Sequence, residues 1–137
     1  MVLRAVAVGI LLVLCGCVAR EPQLDPSEAM SRVPLPAVQI AAPDAPPRIL
    51  GVRLSSLVVR PGDIWSGRIV TTSNVASLEV RSPSFVFNAP RSTFGEFAFT
   101  IHALVIPPIY LRSYTVAIVA RNAAGAQDEE DIAIDFK

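Results

Sequence analysis

The chain has 137 residues, 52% hydrophobic and 18% charged, with twelve basic and twelve acidic side chains and no net formal charge. That length holds one domain, and the balanced charge makes no case for nucleic acid, whose binding needs clustered positive charge. Both cysteines, Cys15 and Cys17, stand near the start, so the rest of the chain offers no disulfide and no thiol nucleophile, and its stability must come from packing.

Residues 1–16 read as a secretory leader, with one positive charge at Arg4, an apolar run from Ala5 to Leu14 and a small-residue end. The run falls short of the roughly 20 apolar residues that span a bilayer. Leu14-Cys15-Gly16-Cys17 resembles the lipobox of bacterial lipoproteins, in which an aliphatic residue and two small ones precede an invariant cysteine. Cys15 is an uncommon occupant of its position but small enough for it. The resemblance implies that the Cys17 thiol carries a diacylglycerol, that the leader is cut before it, and that the new amine is acylated. Several acyl chains hold a protein firmly, since each buried methylene contributes about 0.8 kcal/mol. Val18 and Ala19 are not the acidic pair that retains such proteins at the inner membrane of enterobacteria. The implied address is the outer membrane if the cell has one, otherwise the outer face of the cytoplasmic membrane. The plainer alternative is an ordinary signal peptide cut after Ala19, because Cys17-Val18-Ala19 also places small residues at the two critical positions.

Residues 17–47 read as a tether. From Val18 to Pro47 there are seven prolines, no glycine and no hydrophobic period, a composition that favours extended polyproline II geometry and breaks helices. Such a segment buries too little apolar surface to offset its ordering entropy and is expected to be disordered. Fully extended it reaches roughly 90 Å, and as a coil about 30 Å.

Residues 48–137 change to period-2 alternation broken by turn residues, the pattern of antiparallel strands. Leu50, Val52 and Leu54 alternate, Arg60-Pro61-Gly62-Asp63 turns, and Trp65, Gly67, Ile69 and Thr71 share a face. After the turn at Thr72-Ser73-Asn74 come Ala76, Leu78 and Val80 on one side, then Phe85 and Phe87, then Phe97, Phe99 and Ile101. Tyr114, Val116, Ile118 and Ala120 alternate most cleanly, with Thr115 and Ala117 expected to face outward, before Ile132, Ile134 and Phe136 return. About seven short strands predict an all-β fold, an immunoglobulin-like antiparallel β-sandwich. Tyr114-x-Val116-x-Ile118-x-Ala120-x-Asn122-x-x-Gly125 is similar to the penultimate strand of fibronectin type III and bacterial immunoglobulin-like domains. That resemblance implies a tyrosine corner, with the Tyr114 hydroxyl bonded to backbone across the sandwich. The fold by itself implies no activity.

Candidate chemistry is sparse. His102 is the only histidine and falls on the solvated side of its strand; a general base needs a nucleophile in reach and a metal needs three or four ligands. No Gly-x-Ser-x-Gly, His-Glu-x-x-His or phosphate-binding glycine loop occurs in the sequence. Asp128-Glu129-Glu130-Asp131 reads as a solvated hairpin loop rather than a calcium site, which takes six to eight oxygens. The apolar run Ala103–Leu111 is expected to close one end of the sandwich through Leu104, Ile106, Ile109 and Leu111, and if exposed would be a partner surface. Trp65 and Tyr110 could stack on a sugar, but Trp65 reads as core. The expectation is a non-enzymatic, cofactor-free envelope lipoprotein, anchored in the membrane through Cys17, whose immunoglobulin-like domain is an interaction or structural module. Its partner would be an envelope protein or a polysaccharide. The alternatives are a polysaccharide-binding surface module and an accessory subunit of an envelope secretion or transport machine.

Overall fold

The computed structural model describes residues 32–103 and 107–137. The leader and Cys17 lie outside the described residues. Among the described residues nine strands follow in chain order: β1 Ile49–Leu54, β2 Val58–Val59, β3 Ile64–Thr71, β4 Val75–Arg81, β5 Val86–Ala89, β6 Arg91–Thr93, β7 Glu96–His102, β8 Ser113–Asn122 and β9 Gln127–Phe136. A short 3₁₀ turn, Pro108–Tyr110, precedes β8.

The strands form two sheets, ordered β1-β3-β7-β6 and β2-β9-β8-β4-β5. Every pairing is antiparallel except β2 with β9. Lettered in chain order, with β2 as A′ and β5 as C′, the sheets are A-B-E-D and A′-G-F-C-C′. Those are the strand sets of an immunoglobulin-like sandwich. The two extra strands beyond the expected seven are short pieces at sheet edges, too brief for alternation to reveal.

The turns follow their residues. Pro61 presets the turn after β2, Gly62 takes φ +88° in it, and the Asp63 amide donates to the Arg60 carbonyl. Gly125 supplies the same left-handed conformation in the β8–β9 hairpin, also at φ +88°.

Between the sheets lie Trp65, Ile69, Leu78, Val80, Phe97, Phe99, Val116, Ile118 and Ile134, all buried. Gly67 faces the same core and has no alternative there: a Cβ at that position would stand 2.4 Å from a ring carbon of Phe99, its cross-strand partner. Two predicted faces are shifted by bulges. Between Ile49 and Gly51, and again between Val75 and Ala76–Ser77, the register slips, and one extra residue reverses the alternation on one side of it. Ile49 and Val75 therefore pack on the core, Leu50 is only half-buried, and Ala76, expected inward, is exposed.

On the outer face of the second sheet Thr115 is exposed, as expected, but Ala117 is buried at 9% and Val119 completely. Val119 is flanked across both strand pairs by Glu79 and Glu129. Arg81 bridges Glu79 and Glu129, and Arg121 reaches Glu79. The long stems of these charged residues shield apolar surface while their heads stay wet, so facing outward and being solvated are different things here.

Tyr114, the second residue of β8, has its ring edge-on to Phe136 at 5.5 Å. Its hydroxyl is buried without a hydrogen-bond partner among the described residues. None of the described residues makes the backbone bond implied by the family resemblance; Leu104 to Ile106, just upstream, lie outside the described residues. An unpaired buried hydroxyl costs stability, so Tyr114→Phe is expected to be neutral or to gain up to about 1 kcal/mol. Thermal unfolding checks this; a loss above that size would mean the hydroxyl has a partner.

The ordered body reaches further back than the boundary expected at residue 48. Pro36 lies over Gly51 and Val38 against Gly95. Gln39 bridges Thr72, and its carbonyl accepts from the Ser73 amide at 2.9 Å. The Ala41 amide donates to Ser73 Oγ, and the Asn74 side-chain amide donates to the Ala42 and Ala45 carbonyls. Asn122, 4% exposed, adds a third side chain: its amide nitrogen donates to Ala45 and its oxygen accepts from the Ala126 amide. Residues 35–47 are strapped across one end of the sandwich.

Candidate functional site

The predicted site residues are scattered. His102 is exposed at the end of β7. Trp65, the ring a sugar would have needed, is buried in the core, where its indole N–H donates to the Ser56 carbonyl at 3.0 Å. Among the described residues no three histidine, cysteine, aspartate or glutamate side chains gather in a way that could hold a metal.

Asp128–Asp131 is not a loop. All four residues belong to β9, paired with Ala117 to Ala120 of β8, and the hairpin turn is the apolar stretch Ala123–Ala126. What overrides the poor strand propensity of acidic residues is a set of specific partners. Glu129 meets Arg81 at 3.0 Å. Asp128 Oδ2 accepts the Ile49 amide at 2.7 Å; β1 is an edge strand, so this carboxylate covers a free ladder donor. Burial, and secondarily the Asp128 charge, pushes the Glu130 carboxyl above its ordinary range. Asp128→Ala is expected to cost about 1–3 kcal/mol, because a half-buried amide loses a charged acceptor. Urea unfolding with and without calcium measures it, and the loss should be the same in both.

The end-closing role expected for Ala103–Leu111 holds only in part. Leu111 packs against the core, but Ile109 is 78% exposed and Tyr110 47%. Leu104 and Ile106 lie outside the described residues. Ile64, at the start of β3 beside the end of β7, is 60% exposed at the same end.

The opposite end holds a groove of about 510 Å³, lined by Ile40, Pro43, Asn74, Ala76, Arg91 and Phe94 among others. Ile40 comes from the strap, Phe94 from the β6–β7 turn and Asn74 from the β3–β4 turn. Arg91 braces the wall: its guanidinium donates to the Val75 and Ala76 carbonyls and lies 5.4 Å from the centre of the Phe94 ring. Gly95 completes the turn at φ +72°, where a Cβ would strike Val38 and crowd the Thr71 carbonyl. Phe94 and Ile40, 74% and 89% exposed, project from this end. The sequence hid the groove because three of its walls come from turns and one from a segment read as tether.

Comparison with protein families and with curated proteins finds no matching family model and no matching protein.

Proposed function

We propose that the chain is a lipid-anchored, non-enzymatic envelope protein whose immunoglobulin-like domain is an interaction module. Leu14-Cys15-Gly16-Cys17 supports the anchor. The interaction role rests chiefly on one observation: Ile109 and Tyr110 stand exposed on a short turn, at the end of the sandwich away from where the strap enters. A domain held through its strap would leave that far end accessible, and exposed apolar and aromatic side chains are the material of protein interfaces. The partner in this reading is another envelope protein.

Two arms test it. Fed a fatty-acid analogue, cells should label the wild-type chain and the Cys15→Ser variant, while Cys17→Ser loses the label altogether and is soluble or remains as precursor. A photo-crosslinker replacing Tyr110 should trap one discrete adduct in intact cells, lost in Ile109→Asp. Label retained in Cys17→Ser contradicts the anchor; an adduct indifferent to Ile109→Asp contradicts the interface.

A further inference from the structure

Resting on the anchored reading, we propose that the strap end of the domain docks on the membrane surface, with Ile40 and Phe94 inserted among the lipid headgroups and Arg48 and Arg91 facing anionic lipid. The exposed pair is the first observation. At 89% and 74% exposure, these two side chains protrude, rather than receive, and both border one shallow apolar groove. An aliphatic and an aromatic residue at turn tips, next to arginine, suit the boundary between headgroups and acyl chains, where aromatic rings and long cationic side chains concentrate.

Charge agrees. Arg91 donates to two carbonyls and lies against Phe94, with no acidic partner among the described residues. Arg48 is exposed at the same end, where its backbone pairs with Thr72. Glu96, the nearest acidic residue in sequence to the Phe94 turn, is already bonded to Arg68 at 3.3 Å. Basic residues near an anionic surface add attraction that salt weakens.

The length and attachment of the chain choose the bilayer as occupant. Because residues 35–47 are strapped down, only the eighteen residues from Cys17 to Pro34 lie between the anchor point and the strap. At full extension that many residues reach about 60 Å. The domain is kept at high local concentration beside lipid, so weak apolar contacts suffice. The chain also joins the sandwich close to the proposed face: Leu35 and Pro36 lie at Gly51, which pairs with Val70 near the top of β3, and Val38 touches the Phe94–Gly95 turn. Ile109 and Tyr110 are a strand length away at the other end, so docking would turn them outward from the bilayer.

The full-length acylated protein, purified and reconstituted into phosphatidylethanolamine–phosphatidylglycerol vesicles with or without brominated acyl chains, tests this. Phe94→Trp supplies the probe, and the buried Trp65 of the otherwise unchanged protein supplies the baseline. Docking predicts that the added emission shifts to the blue and loses roughly half its intensity or more with brominated lipid. Adding Ile40→Asp, at a position too exposed to disturb folding, should restore a water-like, unquenched signal. Acylated, vesicle-bound protein whose added emission stays water-like and unquenched overturns docking, and so does quenching indifferent to Ile40→Asp. The anchor fails separately, if mass spectrometry finds Cys17 without acyl chains. Docking is then read by sedimenting the unmodified chain with the same vesicles: binding weakened about tenfold by Ile40→Asp supports it, and no binding overturns it.

Discussion

Trp65→Ala is expected to remove about 3–5 kcal/mol of folding stability. The indole is 2% exposed, and its ring meets Phe99 edge-on at 5.0 Å and Phe85 at 6.3 Å. Its N–H donates to the Ser56 carbonyl, which ties the stretch between β1 and β2 to β3. Truncation therefore empties the middle of an aromatic cluster and frees the crossing from the first sheet to the second. Gly67 beside it cannot fill the space, because Phe99 already occupies the position of a side chain there. A domain of this size has only a few kcal/mol to lose, so Trp65→Phe is the partner variant: it keeps a ring, loses the hydrogen bond, and should fall between wild type and alanine. Circular dichroism in urea reads all three, since this is the sole tryptophan. A loss below about 1 kcal/mol for Trp65→Ala would place the ring outside the core.

Ile118→Ala comes next, at about 2–5 kcal/mol. Ile118 is 1% exposed on β8, with Val80 of β4 on one side and Glu130 of β9 on the other. Flanked on both sides by paired strands, the site cannot collapse around a missing side chain, which puts the cost toward the upper part of that range. Thr115→Ala, on the exposed side of the same strand, should stay within about 0.5 kcal/mol. The same urea series decides it: equal losses for the two substitutions would show that β8 faces the other way.

The alternation of Trp65-Gly67-Ile69-Thr71 and Tyr114-Val116-Ile118-Ala120 was enough to orient β3 and β8, because both strands are long and continuous through those residues. It failed where one residue was inserted. On either side of Leu50 and Ala76 the period of two is intact, and only the pairing with β3 and β8 exposes the slip. Propensity misled at Asp128–Asp131, because Arg81 and the Ile49 amide hold the acidic residues in a strand. Composition misled at residues 35–47 for a related reason. Proline removes donors but leaves acceptors, and the strap is held through its carbonyls by Ser73, Asn74 and Asn122, distant in sequence. The groove inherits that invisibility, since Ile40 is part of the strap. Tyr114 stands at the start of the expected strand, and among the described residues its hydroxyl has no partner for the bond that gives the motif its meaning.

Membrane attachment through Cys17 is the claim on which the proposed orientation of the domain depends, and the mass of the mature amino-terminal peptide tests it most directly. In protein isolated from the membrane fraction, the account predicts a chain that begins at Cys17 and carries the mass of a diacylglycerol, with a further acyl group on the amine where the cell adds one. A chain that begins at Arg20, unmodified and recovered in the soluble fraction, would contradict it.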